Sequence, residues 1–170
     1  MGRNALASFL VPVLTFLVQV LVLKEVVLFG YAFCFIYVFI LLQFHIEMNP
    51  MAQLLSAFVI GLLVDVFYNT LGMHASACTM LIFAKIYWIQ VLTPSGGYDT
   101  GARVNLRTQG LQWFLGYTYP LVFIFCTILF FIEAGGFSMF WQTFGKAFYS
   151  SLFTVIMILI VQYLFYKKVK

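Results

Sequence analysis

The chain has 170 residues and a formal net charge of +4; 64% of it is hydrophobic and only 8% is charged. Its mean hydropathy is +1.05. Soluble domains carry about 25% charged residues, so lipid has to be the solvent for most of this surface. The few positive charges sit at the ends of apolar runs, which points to the bilayer as partner and excludes nucleic acid.

A spanning helix needs about 20 mostly apolar residues, and the sequence offers about six such runs. The first covers 5–23 and starts just behind Arg3. It ends in "VLVLKEVV" without a small-x-small cleavage site, so it is expected to be a retained span. The second, 31–44, is short. The third, 51–68, and the fourth, 71–92, are joined by the tight stretch "NTLG". The fifth covers 111–132 and the sixth 145–166. The connectors leave no room for a soluble domain. The expectation is therefore an all-α polytopic membrane protein: residues 1–170 form one integral-membrane domain, a single bundle of about six transmembrane helices.

The basic residues set the orientation. With the N-terminus inside, Arg3, Arg103, Arg107, Lys167, Lys168 and Lys170 are all cytoplasmic, and only Lys24 and Lys146 lie outside. Both termini are expected in the cytoplasm. Trp88 and Trp113 then mark the inner interface and Trp141 the outer one. The longest connector, 93–110, is turn-rich in its first half and carries Arg103 and Arg107 in its second. It reads as a basic loop that enforces topology against anionic lipid, or as a docking surface for a cytoplasmic partner.

No set of side chains suggests catalysis. His45 and His74 fall near opposite membrane faces, and Glu47, Asp65 and Glu133 lie at different ends of different spans. No phosphate-binding loop, zinc signature or dinucleotide fingerprint occurs, so no catalytic residue, cofactor or metal is expected. Cys34, Cys78 and Cys126 all lie in apolar segments without metal spacing and read as small buried hydrophobes. Pro12 and Pro120 are expected to kink the first and fifth spans, the latter freeing a carbonyl one turn earlier. Gln19 and Gln162 are candidates for hydrogen bonds between helices.

The stretch "GLLVDVFYNTLGMHA", residues 61–75, holds the most informative polar group. Gly61, Asp65 and Asn69 are spaced by four and share one helix face. A carboxylate in a span costs about 2.5–3.5 kcal/mol at the bilayer centre. Lys85 is poorly placed to neutralise it and is expected to snorkel inward past Trp88. The amides that open the fourth helix are better partners for Asp65, with Asn69 or Thr70 as cap. Gly61 and Gly72 suggest close helix contacts. Two readings stand: Asp65, ionised, staples the hairpin between spans three and four, or it meets a partner or ligand.

The same stretch resembles the signature hairpin of the MreD family of rod shape-determining membrane proteins. "QVLVLKEVVLFGY" (19–31), "LTPSGGY" (92–98) and "SSLFTVIMILIVQYLFYKK" (150–168) are similar to its Bacteroidota-type branch, so the resemblance runs over essentially the whole chain. By position, the family motif falls on Gly61, Asp65, Leu71, Gly72 and His74. The resemblance implies a multi-pass protein of the bacterial inner membrane. Its role would be non-enzymatic, in a cell-wall elongation complex that governs cell shape and peptidoglycan synthesis. The implied partners are MreC first, then RodA and a class B penicillin-binding transpeptidase, with MreB reached indirectly. The family also resembles in fold the substrate-binding subunits of energy-coupling vitamin transporters, which makes such a subunit the alternative reading. Those subunits use a small-xxx-small alanine pattern in the first helix, and "ALASFLVPVLTFLVQV" lacks that spacing.

Overall fold

The computed structural model describes residues 11–24, 26–28, 30–93, 104, 109–137 and 139–165. Arg103, Arg107 and most of the 93–110 connector lie outside the described residues. Helix α1 covers Val11–Leu23, and its last turn, Gln19–Leu23, widens to π geometry. Strands β1 (Val27–Leu28) and β2 (Ala32–Phe33) pair as a small antiparallel hairpin. A short helix α2 follows at Val38–Leu42. The long helices are α3 (Pro50–Tyr68), α4 (Met73–Leu92), α5 (Leu111–Glu133) and α6 (Phe140–Phe165).

These last four are each long and apolar enough to cross a membrane, and the protein is a mostly helical membrane protein. The sequence explains their limits. Asn49 caps α3 by accepting from the Met51 amide at 2.9 Å, with Pro50 in the first turn, where its missing N–H costs nothing. Asn69 ends the helix in the left-handed conformation, φ 55°, which Asn tolerates better than most residues. Apolar residues run around all sides of these helices, as in spans solvated by lipid on one side and packed on the other. Val66, Leu71, Val91 and Leu164 point outward, while Ala57, Val64, Leu81, Leu121, Phe125 and Ile158 are buried. Helix α3 packs on α4, α4 on α5 and α5 on α6. Strand β2 rests on α6, and α2 on α4.

The second expected span, 31–44, is not a spanning helix. It enters as the β hairpin, continues through residues 34–37 without regular structure, and gains only the five residues of α2. Yet Cys34, Phe35, Ile36, Tyr37, Val38, Phe39, Leu41 and Leu42 are among the most buried residues of the protein. Hydropathy finds apolar surroundings and not helicity, so the two cases look alike in sequence. Irregular backbone at membrane depth is tolerated only where protein buries it and supplies its hydrogen bonds.

Side chains from the neighbouring helices do so here. The Phe33 amide donates to Ser150 Oγ at 3.0 Å, and the Phe35 amide to Thr154 Oγ1 at 3.1 Å. Gln19 Nε2 donates to the Cys34 carbonyl at 2.9 Å. Tyr117 donates to the Leu42 carbonyl at 3.0 Å. Lys85 Nζ donates to the Phe44 carbonyl at 3.0 Å, the Leu41 carbonyl at 3.4 Å and Gln53 Oε1 at 3.3 Å. Lys85 is only 2% exposed. It does not snorkel; it closes the carbonyl end of α2, where cations are favoured. Each of these backbone groups, buried and unpaired, would cost about 1–3 kcal/mol.

The freed carbonyl at Pro120 and the Gln19 link are both present, and among the described residues the Gln162 link is not. Helix α5 runs through Pro120, which has no N–H to offer the carbonyl of Gly116. Trp88 Nε1 donates to that carbonyl at 3.1 Å and so joins α4 to α5. Gln19 does link helices, through the Tyr68 hydroxyl as well as Cys34. Gln162 does not: it is fully buried on α6 and its side-chain amide makes no hydrogen bond among the described residues.

Candidate functional site: the hairpin between α3 and α4

The sequence brings Asp65 to the last turn of α3, facing the start of α4. It is 4% exposed. Its Oδ1 accepts from the His74 amide at 3.0 Å, and its Oδ2 from the Ala75 amide at 2.9 Å. The Thr70 hydroxyl adds a third, short hydrogen bond to Oδ1. Both carboxylate oxygens therefore hold first-turn amides of α4, which have no partner within their own helix. The cap comes from the preceding helix. The residue at the start of α4, Gly72, offers no side-chain cap, and Asn69 serves as the end of α3 instead. The local sequence permits this because Asn69 and Gly72 both adopt positive φ, 55° and 77°. Their two left-handed residues turn the chain back within "NTLG".

Gly61 lies one turn before Asp65 on the same face. A Cβ there would sit 2.4 Å from Ala75 Cα and 2.8 Å from the His74 carbonyl oxygen. The backbones of α3 and α4 touch at this point, and only glycine fits. Gly72 is different: a Cβ would meet nothing within 4 Å, so its role is its backbone angle and not close packing.

His74 is 3% exposed. Its Nδ1 lies 2.9 Å from the Tyr37 hydroxyl, which also lies 3.6 Å from Cys78 Sγ. The rings of Phe35, Tyr37 and Tyr68 surround it, with centroids 5.8, 5.9 and 5.0 Å away. Through Tyr37 the hairpin is thus tied to the threaded segment. Leu71, in contrast, is fully exposed at the hairpin tip. Of the residues singled out from sequence, Gly61, Asp65, Asn69, Gly72 and His74 come together inside or at the edge of one turn, while Leu71 points away from it.

The sequence reading missed Tyr37, Tyr68, Ser150 and Thr154. The signal for the last two was present. "SSLFT" places two hydroxyls four residues apart on one face of an apolar span, which marks a buried polar contact. Tyr37 gave no signal in a run of aromatics. The Asp65 carboxylate, the Thr70 hydroxyl and the first amides of α4 are spent on one another, and the arrangement fixes two helices in register. Compared with known proteins, the chain matches no family model, no curated protein and no solved structure.

Proposed function

We propose that this chain is a non-enzymatic subunit of a bacterial cell-wall elongation complex, a multi-pass protein of the inner membrane that works by contact with MreC. RodA and a class B penicillin-binding transpeptidase are further partners of this assembly, and MreB is reached indirectly. Both termini lie in the cytoplasm. Helix α1 crosses outward, the β hairpin turns at the outer face, and residues 34–49 return through the bundle interior as an irregular crossing. That gives an even number of crossings with four full spanning helices. What supports the reading is one observation: the Asp65 carboxylate and the Thr70 hydroxyl are consumed in locking the hairpin, while Leu71 is held fully exposed at its tip. A rigid turn that presents an apolar side chain is suited to recognition.

The test is an affinity pull-down of the tagged chain in mild detergent. MreC and cell-wall synthases are expected in the eluate. Recovery of a pair of ATPases in their place would overturn the proposal and favour the transporter subunit. Leu71→Ser is expected to lower MreC recovery without changing the melting temperature.

A further inference from the structure

On the side of the bundle where α3 turns into α4, a cavity of about 290 Å³ opens, lined among others by Lys24, Phe35, Tyr68, His74, Phe130 and Glu133. Its polar groups sort by what they already bind. Glu133 accepts from Lys146 at 3.0 Å, so its charge is matched. Thr70 donates to Asp65, and Asp65 spends both oxygens on the amides of α4. The opening of α4 is therefore filled and is not the site.

Two donors remain. His74 meets Tyr37 through Nδ1, on the interior edge of the ring. An imidazole nitrogen is a far better acceptor than a thiol sulfur; with the Tyr37 hydroxyl donating to Nδ1 on that ground, the imidazole proton is assigned to Nε2. That N–H makes no hydrogen bond among the described residues, in a side chain 3% exposed that lines the cavity. Lys24 is the second donor. Its ammonium lies over the Tyr68 ring, 5.8 Å from the centroid, with no carboxylate in ion-pair range among the described residues. Histidine N–H and lysine ammonium together, with aromatic walls, call for an acceptor that carries negative charge.

We propose that this cavity binds a phosphate group, presented by a phospholipid headgroup or free in solution, with Lys24 and His74 Nε2 as its ligands. The lipid source fits the place, because the cavity lies at the ends of spanning helices, where headgroups meet the protein. The inference does not depend on the proposed partner.

The test is ¹⁵N-histidine NMR on the full chain in neutral detergent. The chain has two histidines, and His45→Gln assigns them. Dihexanoyl phosphatidic acid, inorganic phosphate and dihexanoylglycerol are titrated separately. The phosphatidic acid is expected to shift the His74 Nε2 resonance saturably. A response to inorganic phosphate as well supports recognition of the phosphate group itself; a response to the lipid alone supports the headgroup as source. Lys24→Met is expected to weaken binding at least tenfold, and because Lys24 is exposed and makes no hydrogen bond or ion pair among the described residues, this variant is safe for folding. His74→Asn keeps an acceptor for Tyr37 and removes Nε2 together with the ring that packs on Phe35, Tyr37 and Tyr68, so its melting temperature without lipid is measured first. It is expected to abolish the rise in melting temperature that phosphatidic acid gives the parent. No shift with either phosphate compound, an equal shift with dihexanoylglycerol, or full binding by Lys24→Met overturns the proposal.

Discussion

Substitution of Asp65 tests the hairpin most directly. The two carboxylate oxygens accept from two different amides, those of His74 and Ala75. Asp65→Asn retains one acceptor oxygen, but its NH₂ must face the other amide, donor against donor. One buried N–H is left without an acceptor, at a cost of about 1–3 kcal/mol. Asp65→Leu removes both acceptors and strands both amides, about twice that. For a chain of this size, each kcal/mol moves the melting temperature by about 2–4 °C. Asp65→Asn is therefore expected to melt roughly 2–12 °C below the parent, and Asp65→Leu about twice as far below. The assay is thermal melting of the purified protein in mild detergent, run beside MreC co-purification. The order matters more than the size: Leu must fall further than Asn. If both variants melt like the parent, the carboxylate does not hold the hairpin and the reasoning fails. Retained melting with lost MreC recovery would move Asp65 to a partner contact.

The glycines of the hairpin should separate cleanly. Gly61→Ala forces a Cβ into the α4 backbone and is expected to cost at least the roughly 1–3 kcal/mol of an overpacked core, with Gly61→Leu worse; both are read by melting. Gly72→Ala meets open space but must hold φ at 77°, so its expected loss is about 1–2 kcal/mol, from strain alone. Lys85→Met strips donors from Leu41, Phe44 and Gln53; it should lower the melting temperature more than Trp88→Phe, which removes one hydrogen bond worth about 0.5–1.5 kcal/mol. A more stable Lys85→Met protein would show that the lysine does not pin the threaded segment. For topology, a cysteine replacing Tyr98 should resist an impermeant thiol reagent on intact spheroplasts, and one replacing Ser138 should react; the reverse would invert the proposed orientation.

How much of this was legible in the sequence depends on the distance over which each feature is decided. Helices α3 to α6 follow from runs of apolar residues, a property of each segment alone. Gly61 and Asp65 were legible because spacing by four fixes their shared face before any packing is known, and the tight "NTLG" connection puts the start of α4 within reach. The donors named for Asp65 were of the right kind, the amides opening α4, whereas the side chains expected to cap that helix do other work. Lys85 was misplaced for a related reason. A buried cation was weighed against acids and against the interface, while its actual partners are carbonyls of a segment that had itself been assigned to a helix. In a helix over 31–44 the Cys34 carbonyl and the Phe35 amide would have been satisfied internally, leaving Gln19 and Thr154 without these partners, while the last-turn carbonyls that Lys85 and Tyr117 bind would have stayed open. Gln19 and Thr154 are the complement of that missing helix. An intramembrane polar side chain without a charged partner is therefore a sign to look for unpaired backbone nearby. By the same reasoning, Gln162, buried on α6 with no hydrogen bond among the described residues, is where such a backbone partner is to be looked for next.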